Sequence, residues 1–128
     1  MINVGVIGCG YWGPNLIRNL FKVKECCVAA IADKRPDRLE AVKHFKSDMK
    51  TTTVASELLD MDSIDAVVIA TPISTHFDLA RTCLERGKHV LIEKPMTATA
   101  AQAGYFEGGP GDRQCHGLSR SVGRLQND

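Results

Sequence analysis

Val4-Gly5-Val6-Ile7-Gly8-Cys9-Gly10-Tyr11-Trp12-Gly13-Pro14 is the stretch that decides the reading of this chain. An apolar run leads into G-x-G-x-x-G, and Pro14 then opens a helix, where its missing N–H would be unpaired anyway. Twenty residues beyond Gly13, Asp33 ends a second apolar run, Cys26–Ala32. Strand, glycine turn, helix, strand and acidic residue in that order mark a dinucleotide-binding βαβ unit, where the glycines alone would be a weak signal. Gly8 would allow the tight turn, Gly10 would let the backbone approach a pyrophosphate, and Gly13 would let the helix pack against the strand. The helix N-terminus, with free N–H groups and partial positive charge, would face the phosphates.

The alternation continues outward from this unit. The pattern predicts strands at Asn3–Ile7, Cys27–Ala32, Ala66–Ala70 and His89–Ile92, with a short one near Thr51–Thr53. Helices are expected from Pro14 to Lys22 (Leu16, Ile17, Leu20 and Phe21 inward), from Pro36 (Leu39, Val42, Phe45), over Ser56–Met61, and from Thr75 to Arg86 (Phe77, Ala80, Leu84). Gly87 closes the last of these, and Thr97 or Thr99 would cap another, Thr99 with Gln102 as a capping box. Strand alternating with helix across short connections gives an α/β fold, a doubly wound parallel (Rossmann) sheet of five or so strands.

With hydrophobic residues at 44%, charged residues at 24% and a net charge of +1, the chain is an ordinary globular one without a polyanion-binding surface, which argues against nucleic acid. Its apolar runs are too short to span a bilayer. It opens on a strand and not a basic, apolar leader, so the expectation is no secretory signal and a cytoplasmic protein. Five cysteines without C-x-x-C spacing suggest neither a disulfide framework nor a zinc site, and no metal ligands are assigned. Cys9, inside the glycine loop, is read as packing, because nothing basic is placed to activate it.

After residue 103 the pattern breaks, and residues 104–128 hold six of the eleven glycines. Two readings stay open. One is an irregular, flexible C-terminal tail. The other is a slip of the coding frame just before Gly104: Gly111–Gly117 read one base later can encode Ala-Thr-Gly-Asn-Val-Met-Val, a turn followed by a strand.

The chemistry-bearing residues fall after strand ends. Asp33 would accept hydrogen bonds from the adenosine ribose of NAD and repel a 2′-phosphate. Lys34 and Arg35 beside it would attract that phosphate, so NAD is favoured and NADP stays open. Arg38, one turn into the second helix, would lie over the adenine or be a solvated charge. Gly8, Gly10, Tyr11, Trp12 and Gly13 form the expected cofactor loop. Thr71, Pro72 and His76 would line the nicotinamide half, with His76 alternatively a structural cap. Glu93 and Lys94 follow the last strand at the same edge, where Lys94 is the candidate to deprotonate a substrate hydroxyl.

Together the glycine fingerprint, the Asp33 segment, Ala70-Thr71-Pro72-x-x-x-His76 and Gly87-Lys88-His89-Val90-x-x-Glu93-Lys94-Pro95 resemble the N-terminal domain of the Gfo/Idh/MocA oxidoreductases, over residues 1–103. Gly10-Tyr11-Trp12-Gly13-Pro14-Asn15-Leu16 is similar to the branch of sugar-nucleotide 3-dehydrogenases. The resemblance implies NAD(P)-dependent hydride transfer at a CH–OH of a sugar, polyol or UDP-sugar, with Lys94 acting close to the nicotinamide. It also implies a C-terminal substrate domain with further catalytic residues, which residues 104–128 do not resemble. A nucleotide-binding module or truncated relic without turnover is therefore the competing expectation, and an exposed docking face would favour self-association.

Overall fold

The computed structural model describes residues 1–10, 13–46 and 48–92, and the backbone of 115–117. Five strands, β1 (Ile2–Ile7), β2 (Cys26–Ala32), β3 (Lys50–Thr52), β4 (Ala66–Ile69) and β5 (His89–Ile92), alternate with α1 (Gly13–Phe21), α2 (Pro36–Val42), α3 (Ala55–Leu59) and α4 (His76–Glu85). A sixth, β6, is Cys115–Gly117. All pairings are parallel, and the spatial order is β3-β2-β1-β4-β5-β6. That is the doubly wound order whose direction reverses between β1 and β4.

Two apolar layers explain why the strands carry near-continuous hydrophobic runs. Side chains alternate across a strand, so Val4 and Val6 of β1 meet Ile17, Leu39 and Val42 of α1 and α2 on one face. Ile7, Val67 and Ile69 meet Leu58, Ala80 and Leu84 of α3 and α4 on the other. Both faces are covered, as parallel sheets require. A register shift between Val4 and Gly5 pairs Val4 with Val28 but Gly5 with Ala30. Ala29 is left over as a bulge.

Three expectations change. Phe21, the last residue of α1, is 36% exposed and meets Phe45, with ring centroids 6.1 Å apart. Phe77 is only half-buried, under the Arg81 guanidinium at 5.4 Å, and His76 takes the inner place. A 3-10 turn, Ile73–Thr75, resets the phase of α4 so that His76, Ala80, Cys83 and Leu84 face the sheet. Finally, Cys115–Gly117 is a strand where the sequence reads as irregular, Val90 pairing with Cys115 and Ile92 with Gly117. An edge strand needs only backbone donors and acceptors, so no side-chain pattern announces it. The expected caps at Thr97 and Thr99 lie outside the described residues.

Candidate functional site: the carboxyl edge of the sheet

The register brings the strand ends to one level: Ile7 pairs with Ala32 and with Ile69, and Ile69 with Ile92. Gly8, Asp33 and Ala70 therefore start their loops side by side, on either side of the point where the strand order reverses. Ligands of open α/β sheets bind in that crevice.

Gly8 sits at φ +101°, and a Cβ there would lie 2.6 Å from the Ala70 carbonyl oxygen, so only glycine serves. A Cβ on Gly13 would stand 2.9 Å from the Gly8 carbonyl oxygen. The helix start thus lies against the turn through bare backbone. On Gly10 an added Cβ would meet only the Arg38 Nη1, at 3.4 Å, the movable end of a flexible side chain. Tyr11 and Trp12 lie outside the described residues.

Asp33 ties this loop to the next strand. It is 8% exposed. Its Oδ2 accepts from the Cys9 N–H at 2.7 Å and its Oδ1 from the Arg35 N–H at 2.8 Å. The second bond is an Asx-turn, closed just before Pro36 starts α2. Arg38 Nη1 stands 3.8 Å from Oδ2 on a side chain 41% exposed. Arg35's own guanidinium is turned away onto Asp37, at 3.0 and 3.2 Å, and holds the Asp37 carboxyl below its usual range. Each Asp33 oxygen keeps acceptor capacity beyond its backbone bond.

Cys9 is 4% exposed. Burial first, then the Asp33 charge, push its thiol up to about 12, against an opposing effect of Arg38. The thiol is protonated at neutral pH, which suits packing and not redox chemistry. Cys9, Cys26 and Cys27 are free thiols.

Across the switch point, Thr71 and Pro72 follow β4. Thr75 Oγ1 donates to the Pro72 carbonyl at 2.6 Å, so its 2.6 Å contact with Thr71 Oγ1 is donated by Thr71. His76 is 2% exposed, its Nε2 2.7 Å from the Thr71 carbonyl oxygen. The carbonyl can only accept, so Nε2 carries the proton. His76 therefore lies buried beneath the turn. Glu93 and Lys94 are outside the described residues.

The structure thus brings together Gly8, Gly10, Gly13, Asp33 and Arg38 around one loop, and Thr71, Pro72 and His76 around the neighbouring one. The backbone N–H groups of Cys9 and Arg35 and the hydroxyl of Thr75 were not foreseen. Only Arg35 left a trace in the sequence, as the second residue after an aspartate that precedes a helix-starting proline. Among the described residues no helix is long and apolar enough to cross a membrane, and no three His, Cys, Asp or Glu side chains are placed to hold a metal.

The family model of oxidoreductases with an NAD-binding Rossmann fold, GFO_IDH_MocA, matches residues 2–105. The chain belongs to this family, and these residues form its NAD-binding domain. Among its relatives is an uncharacterized oxidoreductase of Escherichia coli, YdgJ, 36% identical over 97% of this chain and 33% of that protein. A myo-inositol 2-dehydrogenase of Thermotoga maritima is 33% identical over 78% of this chain and 30% of its own length. A solved structure, the 3-ketoreductase KijD10 of Actinomadura kijaniata in complex with TDP-benzene and NADP, is 34% identical with a TM-score of 0.74, over 80% of this chain and 33% of that one. The chain spans about a third of the length of the relatives it matches.

Proposed function

We propose that this chain is the cofactor half of a dehydrogenase that oxidises a CH–OH group of a sugar, polyol or sugar nucleotide, with NAD as the preferred acceptor. The observation that carries the reading is the Asp33 carboxylate, buried, bonded to the glycine loop and standing at the end of β2 beside the switch point. The residues fit the cofactor: the Gly10 side of the loop is open except for a flexible guanidinium, and Asp33 retains acceptors for ribose hydroxyls. The inositol dehydrogenase and the ketoreductase among the relatives support the substrate class. The complex of the ketoreductase with NADP, like Lys34 and Arg35 beside Asp33, keeps NADP as the second acceptor.

In this reading the loop Gly8–Gly13 holds the pyrophosphate, Asp33 the adenosine ribose and Arg38 the adenine, while Thr71 and Pro72 border the nicotinamide. Bound NAD supplies the hydride acceptor. Lys94, with Glu93 beside it, removes the proton from the substrate hydroxyl. That assignment rests on the Glu93-Lys94-Pro95 motif. Residues 1–103 carry the cofactor functions, and the wall that holds a substrate in near-attack geometry is contributed from outside them. For the 128 residues alone, nucleotide binding without turnover is therefore the reading to set against it.

Calorimetry with NAD and NADP tests the central assignment. Asp33→Asn keeps the side-chain shape but removes the charge, roughly halving the strength of a charge-assisted bond. NAD affinity should fall about tenfold or more, and NADP affinity should fall less or rise. Equal losses for both cofactors would refute the role given to Asp33.

A further inference from the structure

We infer that His76 is a positioning residue for the nicotinamide end of the cleft, acting through the Thr71 carbonyl. The inference rests on the cofactor reading above and adds a role for a titratable side chain that is 2% exposed. With the order β2-β1-β4, a dinucleotide whose adenosine is held at Asp33 after β2, and whose pyrophosphate crosses the glycine turn after β1, must lay its second nucleoside over the loop after β4.

That loop is built backwards from His76. The ring is fixed in the core as the first inward residue of α4, and its Nε2–H holds the Thr71 carbonyl at 2.7 Å. Thr75, the residue just before it, binds the Pro72 carbonyl through both its hydroxyl, at 2.6 Å, and its N–H, at 2.9 Å. On the other side the Ala70 N–H donates to the Ile7 carbonyl at 2.8 Å, and the Ala70 carbonyl lies against Gly8. The Thr71 peptide is thus clamped between the glycine turn and one imidazole. Thr75 holds the Thr71 hydroxyl and the Pro72 carbonyl, but among the described residues the imidazole is what fixes the Thr71 carbonyl, so its loss loosens the peptide that borders the nicotinamide. Loss of His76 should therefore act on one half of the cofactor and leave the Asp33 half intact.

The test compares NAD with ADP-ribose, which has every part of NAD except the nicotinamide, by calorimetry on the 128-residue chain. His76→Leu should weaken NAD about tenfold more than ADP-ribose, the scale of one buried hydrogen bond. His76→Gln, which can present an amide N–H near the position of Nε2, should recover most of that loss. If the leucine variant does not fold, His76→Asn, polar but too short to reach the carbonyl, replaces it. Equal losses for the two ligands, no difference between the variants, or failure of glutamine to rescue would overturn the inference while leaving the cofactor site standing. A wild-type chain that binds neither ligand would overturn the cofactor reading itself, and this inference with it.

Discussion

Asp33 and Lys88 are buried charges at opposite edges of the same sheet. Asp33, 8% exposed at the carboxyl edge, accepts from two backbone N–H groups. Lys88, 5% exposed just before β5, donates its ammonium to the carbonyls of Met61 and Ile64 at 2.8 and 2.9 Å. Each satisfies backbone groups of the loops beside it, although the Met61 carbonyl also accepts the Ile64 N–H. The difference lies in what adjoins them. Asp33 has a glycine loop, a helix start and a movable arginine, all at strand ends where the sheet opens. Lys88 has the irregular turn between α3 and β4, which it closes. The same device holds a ligand-ready loop in one place and a structural turn in the other.

The largest effect expected from breaking this symmetry is on stability. Lys88→Met keeps the buried aliphatic stem but leaves the Ile64 carbonyl without its ammonium donor and the Met61 carbonyl with only the Ile64 N–H, which should cost about 2 kcal/mol in denaturant unfolding. NAD affinity of the folded variant should be unchanged. A parallel loss of NAD binding would mean that the two edges are not independent.

The second effect concerns pH. The Cys9 thiol, whose own N–H bonds Asp33, holds its proton more tightly folded than unfolded. The stability this contributes is complete below pH 9.0 and is lost as pH rises toward about 12. Roughly 1.4 kcal/mol should be gone by about pH 10, and Cys9→Ala should flatten that part of the curve. An unchanged alkaline slope would argue against the influence of burial and of Asp33 on this thiol.

The smallest effect is at Arg38. Its guanidinium is 41% exposed and 3.8 Å from Asp33, so Arg38→Ala should change stability by less than about 1 kcal/mol. A larger loss would show that Asp33, like Lys88, is mainly a structural charge that depends on its neighbour.

Much of the fold is legible in the chain because both faces of the sheet are covered. Continuous runs such as Cys26–Ala32 and Ala66–Ile69 then stand out from the amphipathic helices between them. The misjudged residues sit where local pattern and tertiary context part. Phe21 and Phe77 are apolar at helical spacing, yet one is the exposed last residue of α1, against Phe45, and the other is rotated off the sheet by a 3-10 turn. Cys115–Gly117 has no strand signature, because an edge strand is made by its neighbour's backbone.

The spacing of Gly8, Gly10, Gly13 and Asp33 by itself determined that this is a dinucleotide-binding βαβ unit. Gly8 and Gly13 answer local steric requirements, and Asp33 a charge requirement, that few other residues meet. The motif ending in Glu93-Lys94-Pro95 likewise pointed to the family. Only the tertiary structure decided that Asp33 is anchored by the Cys9 N–H and that His76 supports a turn from within the core. Those roles depend on which backbone groups a side chain meets across a gap in sequence. Spacing along the chain does not encode such meetings. The first arises when β1 and β2 are brought into register, the second when α4 packs its inward face on the sheet.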